Sequence, residues 1–143
     1  MTFLLLEPLE ESFSEKRINL TNEVLKIGRK ISAKNPPEPY NGIFESKVLS
    51  RAHAEIWNDK GKILIKDVGS SNGTFINGKR ISEEGQQSAA FELHTGDILE
   101  FGIDIKNEEG DDSKYMFKII IIIIFFFNYV IFIYILYTFF FIN

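Results

Sequence analysis

With 143 residues, 45% of them hydrophobic and 25% charged, the chain has the length and apolar content for one domain with a buried core. Twenty acidic against sixteen basic side chains give a net charge of −4, the wrong balance for general nucleic-acid binding, which draws on many Lys and Arg contacts to phosphate. The lack of cysteine excludes a disulfide framework, a cysteine-ligated zinc site and a thiol nucleophile.

Short apolar runs separated by turn words fill the first part of the chain. Residues 2–6, 24–27, 43–44, 54–58, 63–67, 74–76, 91–93, 98–101 and 115–120 read as strands, and Lys79, Arg80 and Ile81 as a returning strand. The opening TFLLLE is too short for a signal-peptide core and is interrupted by Glu7, so the domain is expected in the cytoplasm. Asn35-Pro36-Pro37-Glu38-Pro39 is a rigid, extended loop. Asp59-Lys60-Gly61 and Asn77-Gly78 are hairpin turns, and Gly96-Asp97 precedes the strand ILEF. Residues 82–90 form a polar loop with room for a short helical turn, and residues 107–113 an acidic, solvated one. No segment before Lys118 keeps a 3.6-residue apolar period over the length a helix needs, so the class is all-β.

After Lys118 the composition changes. The run to Asn143 has no charge, and its length exceeds the roughly 20 apolar residues that span a bilayer. Its first residues finish the last strand. Residues 121–143 are expected to form a single hydrophobic helix following a domain over 1–120. The segment is almost wholly Ile, Phe, Tyr and Asn, which AT-rich non-coding DNA would also encode. It therefore reads either as a transmembrane anchor or as a gene-model artefact. As an anchor, with Lys114 and Lys118 just before it, it would leave the domain facing the cytosol.

Three words carry the chemistry: IGR at 27–29, SRAH at 50–53 and DVGSSNGTFING at 67–78, supported by Gly96-Asp97. Arg29 has a planar fork suited to phosphate. Ser50 and Ser71 can donate hydroxyl bonds to an oxyanion, and Arg51 can add a second cationic contact. The amide of Asn72 has donor and acceptor groups to grip an extended peptide. Gly69 and Gly73 permit backbone that side chains would forbid. Asp67 is placed to brace the loop, Thr74 starts a strand, and Asn77 makes a turn. Lys79 and Arg80 read as a solvated strand end, with added positive potential as the alternative. Any one word alone would suit an ordinary polar turn; their order and spacing together do not.

In that order the words resemble the forkhead-associated (FHA) domain. The resemblance covers most of residues 1–120 and implies a sandwich of about eleven strands that binds phosphothreonine peptides with the loops at one end. It implies ligand contacts from Arg29, Ser50, Arg51, Ser71 and Asn72. It implies structural roles for Gly28, His53, Asp67, Gly73, Thr74, Asn77, Gly96 and Asp97, with His53 bonding across the binding loops. KVLSRAHAEIW, SSNGTFINGKRIS and TGDILEFGIDI are most similar to the branch holding the sarcolemmal membrane-associated protein and fungal cytoplasm-to-vacuole-targeting and pheromone-arrest proteins. That branch implies scaffolds of kinase–phosphatase assemblies, although the long coiled coil that follows the FHA domain there is not found in this sequence.

The partner implied is a phosphothreonine-containing protein, with no cofactor, metal or nucleic acid. The alternative is a membrane protein whose β-domain has an interaction role without phosphate dependence. An enzyme is the weakest reading. Ser50 and His53 are the only nucleophile–base material, and no orienting carboxylate is marked.

Overall fold

Alternation along the strands decides the layers. In the segment KILIKD, Ile63, Ile65 and Asp67 are buried while Leu64 and Lys66 are half-exposed. That is the period of a strand with one face on a core. The computed structural model describes residues 1–9, 13–104 and 114–125. Within them lie β1 (Thr2–Pro8), β2 (Lys16–Asn19), β3 (Leu25–Arg29), β4 (Ile43–Phe44), β5 (Ala54–Asp59), β6 (Lys62–Asp67), β7 (Thr74–Ile76), β8 (Lys79–Arg80), β9 (Phe91–Leu93), β10 (Ile98–Asp104) and β11 (Lys114–Phe125). One sheet has the order β2-β1-β11-β10-β7-β8 and the other β4-β3-β5-β6-β9. All pairs are antiparallel except β3 with β4.

The inner faces meet in one core. Leu4, Leu6, Ile18, Leu99 and Phe101 come from the first sheet, and Ile27, Phe44, Ile56, Ile63 and Ile65 from the second. Fully burying such a side chain contributes about 1.5–3 kcal/mol. The tight turn Asn77-Gly78 joins β7 to β8, with φ of 50° and 83°. Two positive φ values are what a two-residue hairpin of this hand requires, and Asn and Gly tolerate them best.

The all-β expectation holds: among the described residues there are eleven strands and no helix. Several strand ends shift by one to three residues, β1 reaching Pro8 and β10 Asp104, and four details bear on the reading. First, β2 is an additional strand. Its inward positions are Lys16 and Ile18, so a buried lysine interrupts the apolar alternation by which strands are read. The Lys16 ammonium donates to the Glu38 carbonyl at 2.6 Å and lies 4.7 Å from the centre of the Phe44 ring. Burial lowers its pKa to about 8, against a smaller opposing pull from Glu38.

Second, β3 begins at Leu25, and Val24 is exposed. Third, residues 82–90 form turns and a single bridge from Gln87 to Val68 rather than a helical turn. Last, β11 continues past Ile120 to Phe125, pairing with β1 as far as Thr2↔Phe125. Ile123 N–H also donates to Thr95 Oγ1 at 3.0 Å. Residues 107–113 and 126–143, including most of the expected C-terminal helix, lie outside the described residues. Among the described residues no helix is long and apolar enough to cross a membrane.

The topology gathers the chemistry at one end. β3 ends there at Arg29, β5 begins there at Ala54, β6 ends there at Asp67 and β7 begins there at Thr74. Thr2 and Phe125 lie at the end of the sandwich away from these loops.

Candidate functional site

Backbone contacts first bring the loops together. Arg29 N–H donates to Ser50 O at 3.0 Å, His53 N–H to Ile27 O at 3.0 Å and Val68 N–H to His53 O at 3.1 Å. Gly28 permits the closest approach: a Cβ there would sit 2.0 Å from the Arg51 carbonyl oxygen. No side chain fits that gap without moving backbone, so the residue between Ile27 and Arg29 must be glycine.

His53 then locks two loops to each other. It is fully buried. Its Nδ1 accepts the Ser50 N–H at 3.0 Å, and its Nε2 pairs with the Gly73 carbonyl at 3.0 Å. Nδ1 is therefore the acceptor and Nε2 carries the proton, an assignment made by the network. The ring meets Phe101 edge-on at 4.8 Å. Burial pushes the imidazole pKa below its ordinary value, although the Gly73 bond and the Asp67 charge oppose the shift. His53 thus bonds to both loops. It also removes the Ser50–His53 nucleophile reading, because the imidazole takes the backbone N–H of Ser50 rather than its hydroxyl.

Asp67 shapes the second loop. It occupies an inward position of β6 where an apolar side chain would ordinarily stand, and it is fully buried. Its carboxylate accepts from Gly69 N–H and Ser70 N–H at 2.8 Å each, from Thr74 Oγ1 at 2.7 Å, and from the Ser70 hydroxyl. Ser70 Oγ in turn accepts from Gly73 N–H at 3.1 Å. Burial raises the pKa, but these four bonds together outweigh it and hold the carboxyl below its usual value. Ser70 was not singled out from sequence. Its signal was its place three residues after an inward-facing Asp, the spacing of a side chain that turns back on its own strand end.

The ligand-facing candidates sit on this base. Ser71 N–H donates to Ser50 Oγ at 3.1 Å, which places the two serines side by side across the loops. The Ser50 hydroxyl accepts there and keeps its own proton to donate. Ser71 is exposed. Arg29 is half-buried and Arg51 exposed. Among the described residues neither guanidinium has a hydrogen-bond or ion-pair partner. Both arginines line one cleft of about 350 Å³, walled also by Ile31, Ile43 and Val68. Asn72 departs from its expected use in part. One amide N–H is spent on the Val48 carbonyl at 3.0 Å, so this side chain also ties loop to loop.

Asn77, Gly96 and Asp97 lie at the other end of β7. Asn77 donates to Asp97 Oδ1 at 2.9 Å and accepts from Ile98 N–H at 2.9 Å, while Asp97 caps His94 N–H at 2.7 Å. They staple two turns and do not join the serine cluster. Arg80 corrects an expectation. It is no solvated strand end: it is half-buried, its Nε donates to Ser82 O at 2.5 Å, and it lies over the Phe75 ring at 5.7 Å.

Charge is distributed to match. Residues 25–53 hold six Lys or Arg and two Glu, although the chain as a whole is acidic. Hydroxyl donors, unpaired guanidinium groups and a local positive field are the elements that recognise a tetrahedral oxyanion. Among the described residues no cluster of His, Cys, Asp or Glu has the form of a metal site.

The FHA domain family matches residues 25–102, more than half of the chain. The chain belongs to the FHA-domain family. FHA domains bind phosphothreonine peptides in signalling. An uncharacterized protein of Schizosaccharomyces pombe is 49% identical over 107 residues, 73% of this chain and 36% of the relative. The human sarcolemmal membrane-associated protein is 43% identical over 100 residues, 68% of this chain and 12% of that protein. The chain thus spans about a third or less of the length of these relatives. Among solved structures, the kinase-interacting FHA domain of the Arabidopsis kinase associated protein phosphatase is similar with a TM-score of 0.59 and 25% identity, over 85% of this chain and 93% of that one.

Proposed function

We propose that this chain reads phosphothreonine in a partner protein and serves as an adaptor, without catalysis of its own. The observation that carries the reading is the juxtaposition of Ser50 and Ser71 through a 3.1 Å bond, beside two arginines with no partner among the described residues. In this reading Arg29 and the two serine hydroxyls hold the phosphate. Arg51 and the free groups of Asn72 hold the peptide that carries it. A phosphothreonine brings about −1.5 to −2 charges and three acceptor oxygens, so each of these donors has an oxygen to bond.

The adaptor role takes support from the similar proteins: a kinase-interacting FHA domain belongs to a phosphatase, and a membrane-associated protein is 43% identical over 100 residues. A kinase–phosphatase assembly is accordingly the setting we infer. Membrane attachment rests on residues 126–143, which are apolar and uncharged and follow β11 directly. That end of β11 lies away from the binding loops, so attachment there would leave them open to a cytoplasmic partner.

Calorimetric titration of the full chain, in mild detergent, with a phosphothreonine peptide library and its unphosphorylated twin tests the binding. Saturable binding of the phosphorylated peptide alone is expected; equal binding of both would end the phosphate reading and leave the phosphate-independent alternative. For attachment, cells expressing the full chain are fractionated beside cells expressing residues 1–125, which retain the whole of β11. Carbonate-resistant sedimentation of the full chain alone is expected, and equal extraction of both would remove the anchor.

A further inference from the structure

Arg80 is a half-buried cation, and no described carboxylate pairs with it. Its Nη2 is buried and bonds to nothing among the described residues. None of their carboxylates comes within the 4.0 Å of an ion pair. The bond from Nε to Ser82 O and the Phe75 ring fix the guanidinium in place. A guanidinium partly withdrawn from water and left without a counter-charge carries a cost.

The location supplies a reason. A Cβ on Gly73 would lie 2.9 Å from Arg80 Cζ and 3.2 Å from Nη1. The guanidinium therefore lies directly against the backbone of the Ser71-Asn72-Gly73 loop, with no side chain between. Gly73 has φ of 96°, which alone disfavours other residues there. Two residues before Gly73 in the same loop, Ser71 N–H donates to Ser50 Oγ. A half-buried charge is screened less by solvent and salt than one standing fully in water.

We propose that Arg80 is a positioning residue that supports the Ser71–Gly73 loop from behind and supplies a second layer of positive potential for the dianionic phosphate, without touching it. The proposal rests on the phosphothreonine reading above and adds a residue to it.

The test uses the full chain in mild detergent and the tightest-binding member of a degenerate phosphothreonine peptide library. At pH 7.5, Arg80→Met should weaken binding about five- to tenfold. The unfolding midpoint of the free protein should be unchanged or higher, because an unpaired, half-buried charge has gone. Arg80→Lys should recover most of the affinity. At pH 5, where a phosphate with its second pKa near 6 is a monoanion, the gap between the native chain and Arg80→Met should narrow to about twofold. A lowered midpoint in Arg80→Met, unaltered affinity, or Arg80→Lys as weak as Arg80→Met would each overturn the proposal and make Arg80 a packing residue. Failure of the native chain to bind any phosphopeptide would overturn the reading itself, and Arg80's role with it.

Discussion

Asp67 and Arg29 stand at the same end of the sandwich and are treated in opposite ways. Asp67 is fully buried and takes four hydrogen bonds. Arg29 is half-buried, and its guanidinium bonds to no described residue. His53 and Ser70 belong with Asp67, their polar atoms bonded within the protein. Ser71 and Arg51 belong with Arg29. The difference separates scaffold from display. The loops are shaped before a ligand arrives, by groups that have nothing left to offer it. The binding groups are those the fold leaves open, so little ordering entropy is lost when they engage.

The largest effect should come from breaking the scaffold. Asp67→Asn puts an amide among donors that need an acceptor, and should cost about 2–4 kcal/mol of folding stability, as expected for bonds to a charged, buried group. Chemical denaturation measures it. Binding should fall as well, because the Ser70–Gly73 turn loses its anchor. A loss below about 0.5 kcal/mol would show that the loop holds its shape without Asp67.

The pH dependence separates the two scaffold groups. The folded pKa of His53 lies below its unfolded value near 6.5, so the unfolded chain takes up the proton first. Its contribution is intact above about pH 6.5 and is lost as pH falls from there toward the folded pKa. Asp67 is also depressed, but as an acid its contribution persists above its unfolded value near 3.9 and is lost only as pH falls through the lower folded value. Thermal unfolding should therefore show a decline that begins below pH 6.5 and a further one below about pH 4. His53→Gln should abolish the first and spare the second. A single acid transition untouched by that substitution would merge the two roles assigned here.

The smallest effect should come from one display hydroxyl. Ser71→Ala removes a donor but keeps the N–H that bonds Ser50 Oγ. Affinity for a phosphothreonine peptide should fall severalfold, about 1 kcal/mol, with no change in melting temperature. A lowered melting temperature would move Ser71 to the scaffold.

Much of this division was legible in the sequence, for a physical reason. Strand alternation and turn words act locally, so nine strands, the returning strand of the Asn77-Gly78 hairpin and the loop words could be read directly. What could not be read depends on who meets whom across the sandwich. Lys16 concealed β2 because its burial is made tolerable by Glu38 and Phe44, more than twenty residues away in sequence. Arg80 looked solvated because Gly73 and the Phe75 ring, which it packs against, lie on the preceding loop and strand. Ser50 and Ser71 could each be read as a hydroxyl on a loop, but their bond to each other spans 21 positions. The strand reading stopped at Ile120 because an isoleucine run reads alike as strand or as span, and pairing with β1 carries β11 on to Phe125.

Arg29→Ala tests the separation of scaffold from display most directly, with affinity and stability measured on the same protein. Calorimetry against a phosphothreonine peptide should show at least about a tenfold loss, since bonds from a guanidinium to phosphate contribute about 1.5–3 kcal/mol and about 1.4 kcal/mol is a factor of ten. The unfolding free energy should stay within about 0.5 kcal/mol of the native chain, because no described residue bonds to that guanidinium. Undiminished affinity, or a fall in stability as large as the fall in binding, would contradict the account.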